Sequence, residues 1–304
     1  MFLAPTAFLA NPEELHRVWR PDESLKYTQW LATHHYENFQ VVSFLLPKRL
    51  HQDFYNVYAF CRWADDLADE IGDSQESLRL LSWWRGELQK MYAGVASHPV
   101  FVALTDTAQR HQLPIEPFDD LIRAFEQDQT VTRYRNFEEL FDYCRYSANP
   151  VGRLVLGLCG YRDAERYQLS DATCTALQLA NFWQDVIVDW RKDRVYLPLD
   201  VLARHGSSVE AIAMRRFDEN FRAAMKEAVD VARALFLQGL PLADQVDRRL
   251  AIDLDLFSRG GLKVLEKIER QDYNVLRARP AISKVERVTL LLGALGRRTF
   301  FSAA

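Results

Sequence analysis

Asp65 and Asp69, and again Asp185 and Asp189, are carboxylate pairs spaced four residues apart. In a helix that spacing puts both members on one face, one turn apart. Like charges so placed destabilise a helix by roughly 0.2–0.5 kcal/mol. Both pairs lie among apolar residues, where an unpartnered anion is costly. The pattern calls for something positive to bind. Two carboxylate rows facing each other would suit Mg²⁺, which takes oxygen ligands and is commonly shared with a phosphate.

Each pair extends into a longer stripe. Tyr58, Arg62, Asp65 and Asp69 fall at i, i+4, i+7 and i+11, with Asp66 and Glu70 just beside them. A lone D-D-x-x-D is most simply a solvated helix face. Here Phe54, Val57, Phe60, Trp63, Ala64, Leu67 and Ala68 make the rest of the helix apolar on several sides, which favours a binding site. Gln178, Asn181, Asp185 and Asp189 repeat the design among Leu177, Leu179, Phe182, Trp183, Val186, Ile187 and Val188. Arg191, Lys192, Arg194 and Tyr196 follow. Those cations either neutralise the carboxylates from a helix C-terminus or grip a phosphate. The run Phe141 to Gly152, which includes Tyr143 and Asn149-Pro150, reads equally as a helix–helix junction or as a site wall with a phenol aimed at a reactive centre.

This set suits ionisation of an allylic or cyclopropylcarbinyl diphosphate. Mg²⁺ would stabilise the departing group, and aromatic faces in a dry cavity would stabilise the cation left behind. Phe39, Phe44, Phe54, Trp63, Phe182 and Trp183 supply aromatics near or upstream of the stripes, although aromatics at helical spacing are usually core. Other chemistries lack support. Neither G-x-x-x-x-G-K-[ST] nor G-x-G-x-x-G occurs. No histidines stand at H-E-x-x-H spacing, and only Glu13 and His16 match the Glu-x-x-His of a di-iron bundle.

The elements that must hold these residues are helical. Apolar residues recur at 3–4 spacing over 50–71, 78–92, 118–125, 137–146, 172–190, 211–237 and 251–275. Asn136 with Glu139 resembles a capping box, Pro117 suits a first turn, and Ser170-Asp171 is read as the opening of the second acidic helix. Residues 194–198 read as extended. Only 12 glycines and 11 prolines interrupt the 304 residues, and no linker, repeat or low-complexity tract appears. The expectation is one all-α domain over 1–304, with helices around a central apolar cavity.

At 48% hydrophobic and 26% charged, with a net charge of −4 and no basic run, the chain is an ordinary globular protein with no reason to bind nucleic acid. Cys61, Cys144, Cys159 and Cys174 form no C-x-x-C and read as reduced core residues in a reducing compartment. The N-terminus does not resemble a signal peptide, and no apolar run approaches the roughly 20 residues of a membrane span. The reading is cytoplasmic. The apolar tail over 288–301, with Arg297 and Arg298, either packs on its own domain or rests on the inner face of the cytoplasmic membrane.

Tyr58-Ala59-Phe60-Cys61-Arg62 with Asp65-Asp66-Leu67-Ala68-Asp69, and Gln178-Leu179-Ala180-Asn181 with Asp185 and Asp189, resemble the two signatures of the squalene/phytoene synthase family. Arg191 to Pro198 extends the likeness, which runs from about Asn38 to Tyr273. The resemblance implies the all-α isoprenoid synthase fold, an isoprenoid diphosphate substrate and three Mg²⁺ ions. By position it implies Asp65, Asp69, Asp185 and Asp189 as metal ligands, assisted by Asn181. Tyr58, Arg62, Gln178, Arg194 and Tyr196 would line the diphosphate end, Lys48 and Arg49 join the substrate-binding set, and Tyr143 would lie near the reacting carbons. Tyr58, Arg62, Tyr143 and Tyr196 are the catalytic candidates.

Several positions depart from the commonest pattern. Tyr36-Glu37-Asn38-Phe39 replaces a Ser-x-Ser-Phe, and Ser147-Ala148-Asn149-Pro150-Val151-Gly152 replaces a Val-Ala-Gly-x-Val-Gly. Gln184 stands where an arginine is frequent, and Gly261 where a tyrosine is. The first two are similar to the bacterial hydroxysqualene synthase branch. That likeness implies conversion of presqualene diphosphate to hydroxysqualene by ionisation, rearrangement and water capture, without NADPH. The alternatives are a squalene synthase using farnesyl diphosphate and NADPH, a phytoene or dehydrosqualene synthase, and an inactive helical scaffold.

Overall fold

A computed structural model describes residues 2–34 and 46–300, with side chains as far as Arg297. Phe39 and Phe44, and the segment Tyr36 to Phe39, lie outside the described residues. The helices are α1 (Pro5–Leu9), α2 (Pro12–His16), α3 (Pro21–His34), α4 (Lys48–Asp69), α5 (Ser74–Tyr92), α6 (Pro99–Arg110), α7 (Glu116–Gln127), α8 (Phe137–Ser147), α9 (Asn149–Leu158), α10 (Ala164–Trp190), α11 (Leu199–Arg204), α12 (Val209–Ala213), α13 (Glu219–Gly239), α14 (Arg248–Arg270) and α15 (Lys284–Phe300). Among the described residues no strand forms. Arg133 and Val195 make an isolated parallel bridge. The all-α expectation holds.

The chain divides into two compact units, Met1–Thr130 with Arg153–Arg162, and Val131–Gly152 with Asp163–Ala304. Each takes a piece from inside the other's stretch of sequence, so no linker marks the division.

In the first unit α4 carries the first acidic stripe. Its apolar sides are buried through Phe54, Phe60, Trp63 and Leu67. Trp63 stacks on Trp84 at 5.1 Å and meets Phe8 and His98 edge-on at 5.2 and 4.5 Å. Its indole N–H donates to Tyr27 Oη at 3.0 Å. Trp63 is therefore core, the ordinary outcome for an aromatic at helical spacing. Burial holds the His98 imidazole down at about 3, so it stays neutral.

Another side of α4 is polar yet buried. Asp53 accepts from Thr107 Oγ1 at 2.8 Å, Arg110 Nη2 at 2.8 Å and His111 Nε2 at 3.0 Å. Asn56 accepts from Thr28 Oγ1 at 2.6 Å and donates to the Ala103 carbonyl and to Thr107 Oγ1, both at 3.0 Å. Buried polar groups must be paired. These bonds to α3 and α6 fix the rotation of α4 about its axis, and with it the direction of the acidic stripe.

In the second unit α10 packs on α8, α13 and α14. It begins at Ala164, not at Ser170. Asp163 accepts from Arg166 N at 3.1 Å and caps it. Ser170 is buried within the helix instead, facing Gly152, where an added Cβ would sit 2.3 Å from Ser170 Oγ. The single helix expected over 211–237 is two. The break over 214–218 holds Arg215 at φ +50, and Asp218 accepts from Phe221 N at 2.9 Å to cap α13. Asn136 caps α8 through Glu139 N at 3.0 Å as the capping box predicts, but the Glu139 carboxylate returns to Arg135 N at 2.7 Å.

The tail forms α15, which packs on α14. Arg297 Nη2 reaches Asp255 at 2.6 Å, and Lys267 reaches Glu286 at 2.9 Å. Val285, Val288, Leu291 and Leu292 nevertheless stay exposed. The four cysteines are free thiols.

Gly261 explains its own departure from tyrosine. It lies on α14 beneath buried Phe236 of α13, where an added Cβ would sit 2.0 Å from Phe236 Cζ. Overpacking of this kind costs about 1–3 kcal/mol. Gly261→Ala should lower the melting temperature, and Phe236→Leu in the same chain should recover part of the loss. Calorimetry of the four combinations measures the coupling.

Candidate active site

The acidic stripe of α4 occupies its last three turns. Lys48 and Arg49 stand exposed at the other end, about 25 Å from Asp65 at 1.5 Å per residue. The structure does not bring them to the acidic pair of their own helix. Asp69 is exposed, and the Asp65 side chain retains 47% exposure. The buried acid of this helix is their neighbour Asp66, 4% exposed. Burial raises its carboxyl, and Arg62 counters the rise from 2.5 Å. The same guanidinium lies 3.5 Å from Asp65. Arg62, expected at the diphosphate end, is thus also the local counter-ion of the stripe. Burial pushes up the phenol of half-buried Tyr58, and it pushes the Cys61 thiol up to about 12, where it is no nucleophile at neutral pH.

On α10 the second pair meets a stronger field. The Asp189 carboxyl is pushed up to about 7, first by burial and then by Asp185 one turn away. Arg194, Lys192 and Arg279 oppose the rise. The chain turns sharply after α10. Asp193 adopts φ +55, and the Arg194 amide donates back to the Asp189 carbonyl at 2.9 Å. That turn keeps Arg194 near the pair. Gln178 is half-buried on the same helix, and Asn181 is exposed.

Beyond the turn, residues 194–198 are extended as expected and run beside residues 132–135. Val195 N donates to the Thr132 carbonyl and Leu199 N to the Tyr134 carbonyl, each at 2.9 Å. This register gathers Tyr134, Tyr143, Phe182 and Tyr196 into one buried aromatic cluster. Phe182 lies flat on Tyr196 with centroids 3.6 Å apart, and Tyr143 lies 6.1 Å from Tyr196. Two residues separated by more than fifty positions in sequence, Tyr143 and Tyr196, thus share one aromatic surface. The Asn149-Pro150 segment is the junction between α8 and α9, tied to α10 by Thr175 Oγ1 donating to Asn149 Oδ1 at 2.9 Å. The structure thus bears out the helix–helix junction reading of that segment.

Sequence reasoning missed Arg279. It lies between α14 and α15, and its Nε and Nη2 both donate to the Asp185 carboxylate, the latter at 3.0 Å. Nη2 also lies 3.3 Å from Gln184 Oε1, while Gln184 Nε2 donates to the Pro280 carbonyl. A usable signal existed. With glutamine at 184 the second pair lacks an adjacent arginine, and its positive charge has to come from elsewhere.

Among the described residues no group of three or more acidic, histidine or cysteine side chains is gathered as a ready-made metal cage. Mg²⁺ does not require one, since it is commonly held by one or two carboxylates completed by water and substrate phosphate. A carboxyl raised to about 7 beside a second carboxylate is electrostatically matched to a divalent cation.

A squalene/phytoene synthase profile matches residues 32–286. The chain belongs to the squalene/phytoene synthase family. It is 32% identical to a hydroxysqualene synthase from Rhodopseudomonas palustris over 88% of this chain and 92% of that one. It is also 32% identical to a chloroplastic phytoene synthase from Narcissus pseudonarcissus over 86% of this chain, and it spans 63% of that longer protein. Among solved structures, the squalene synthase HpnC from Alicyclobacillus acidocaldarius superposes with a TM-score of 0.80 at 45% identity, covering 84% of this chain and 96% of that one. A dehydrosqualene synthase superposes at 0.81 with 23% identity over 92% and 98%, which speaks to the fold alone. The isoprenoid synthase fold is thereby established.

For this family member, Asp189 offers a test in the ion-free protein. Its folded-state pKa lies above the unfolded value, so its contribution to stability is greatest at acid pH and is lost as pH rises through about 7. Asp189→Asn should therefore stabilise the chelator-treated enzyme more at pH 8 than at pH 5, by about 1–2 kcal/mol after allowance for solvent screening. Thermal melts of both proteins at the two pH values measure the difference.

Proposed function

We propose that this chain converts presqualene diphosphate to hydroxysqualene. One observation carries the reading. A hydroxysqualene synthase matches it nearly end to end, and a second, from Zymomonas mobilis, does so at 32% identity over 88% of this chain and 90% of that one. The acid pairs support it, because an ionising diphosphate needs its charge met. Asp65 and Asp69 on α4, and Asp185 and Asp189 on α10, are the proposed Mg²⁺ ligands, with Asn181 assisting. Bound Mg²⁺ would neutralise the leaving diphosphate.

The remaining steps fall to this chain's own residues and to water. The carbon–oxygen bond breaks with its electron pair on the diphosphate. The cation rearranges, and water adds to it and releases a proton, so no reductant is consumed. Arg194, held near the second pair by the turn after α10, would bind diphosphate oxygens, with Tyr58, Arg62 and Gln178 as further proposed contacts. The ring faces of Tyr143, Phe182 and Tyr196 supply an aromatic surface for a cation. Purified enzyme with presqualene diphosphate and Mg²⁺, without NADPH, should yield hydroxysqualene by mass spectrometry, and recovery of unchanged substrate would overturn the reading. Asp65→Ala and Asp185→Ala should each cost at least ~100-fold in turnover while retaining helical circular dichroism, as expected when groups meeting transition-state charge are lost.

A second reading is a synthase that condenses two prenyl diphosphates, favoured by the likenesses to the phytoene synthase and to the structure titled squalene synthase. Product from farnesyl or geranylgeranyl diphosphate, with and without NADPH, distinguishes it.

We further propose that the enzyme works at a membrane surface. Among the described residues no helix is long and apolar enough to cross a membrane. Yet α15 exposes Val285, Val288, Leu291 and Leu292 beside exposed Lys284 and Arg287, an apolar row flanked by positive charge. Vesicles of phosphatidylglycerol and phosphatidylethanolamine should co-sediment the wild type, and Val288→Glu with Leu292→Glu should abolish that. Equal sedimentation would refute the contact.

A further inference from the structure

The second acidic pair already has a cation on it, and that cation is delivered from a distant part of the chain. Arg279 places two N–H donors on the two oxygens of Asp185. Both oxygens are thereby occupied, which is the geometry that makes an arginine–carboxylate pair strong. The segment carrying Arg279 is clamped beside that contact. Gln184, buried on α10, donates to the Pro280 carbonyl and accepts from Arg279 at 3.3 Å. Neighbouring residues on one helix, Gln184 and Asp185, thus hold adjacent residues of one loop, Pro280 and Arg279.

The two halves of this clamp differ in kind. Gln184 to Pro280 is a buried neutral hydrogen bond, indifferent to added ions. Arg279 to Asp185 is an ion pair whose arginine side chain is 52% exposed. A divalent cation arriving at Asp185 competes directly with the guanidinium for the same oxygens and carries twice its charge.

We propose that Arg279 is a displaceable internal counter-ion, a positioning residue that keeps the second acidic pair neutralised and shaped in the ion-free enzyme and leaves Asp185 when Mg²⁺ binds. Gln184 retains the loop's anchor at Pro280, so release moves the arginine without detaching the segment. This rests on Asp185 and Asp189 being Mg²⁺ ligands, as proposed above.

The test is calorimetric titration of the full-length, substrate-free enzyme with Mg²⁺ alone, paired with hydrogen exchange over residues 274–283. Arg279→Gln should bind Mg²⁺ about 1.5- to fivefold more tightly than wild type, the range expected when a partly exposed ion pair no longer competes. Arg279→Lys, which keeps the charge but loses the two-pronged contact, should fall between. In the wild type Mg²⁺ should speed exchange at 277–279, and in Arg279→Gln exchange there should be fast with or without the ion. Gln184→Leu should loosen the segment around Pro280 in either condition. Unchanged or weakened Mg²⁺ affinity in Arg279→Gln, with exchange indifferent to Mg²⁺ in the wild type, overturns the counter-ion role and leaves the metal assignment standing. Absence of Mg²⁺ binding in the wild type and in both Arg279 variants, with inorganic diphosphate added as well as without it, overturns the metal assignment and the counter-ion role with it.

Discussion

Two carboxylates one turn apart on α10, partly withdrawn from water, are the constraint to which much of the second unit answers. Burial first, and repulsion from Asp185 second, push the Asp189 carboxyl up to about 7. The fold opposes that rise with cations from two directions. Arg194 and Lys192 come from the turn that ends the helix, and Arg279 comes from the segment between α14 and α15. Stability alone does not account for two such acids, since apolar residues there would carry no repulsion.

The turn after α10 has a second consequence. By reversing at Asp193 and running alongside residues 132–135, the chain brings Tyr196 flat against Phe182, a residue of the acidic helix itself. One backbone feature therefore sets both a charged element, Arg194 near Asp189, and an apolar one, the Tyr143–Phe182–Tyr196 surface. Diphosphate chemistry needs the two in fixed relation, because the charge that leaves and the cation that stays belong to one molecule. The short bridge between Arg133 and Val195 maintains that relation within this unit.

What was legible in the sequence followed from local rules. The helical class, the two acidic stripes, the extended residues 194–198, the cap at Asn136 and the first-turn Pro117 all express spacing or turn chemistry within a few residues. What stayed hidden was non-local. Ser170-Asp171 looked like a helix start, whereas Ser170 is a small residue needed for the close approach of Gly152, a reason visible only once α9 lies against α10. Asp53 and Asn56 carried no sign that they were the buried polar brace of α4. Their partners Thr28, Ala103, Thr107, Arg110 and His111 come from other helices. Asp66 only flanks the stripe by spacing, yet it is the acid that burial selects. Arg279 is 94 residues from Asp185 and belongs to no periodic pattern.

The two stripes meet the same electrostatic problem in different ways, and the difference is mechanical. On α4 the counter-ion is Arg62, one turn from Asp66 on the same helix. The same guanidinium also lies 3.5 Å from Asp65, so one arginine of the helix serves both acids. On α10 the counter-ion arrives on a segment outside any helix and sits on one of the proposed ligands itself. A ligand that took Asp185 would have to displace a guanidinium held on a loop, whereas the guanidinium beside Asp65 belongs to the helix itself. Occupancy of Asp185 is for that reason tied to the segment that carries Arg279. Gln184, the neighbour of Asp185 on the helix, braces that loop through the Pro280 carbonyl and Arg279.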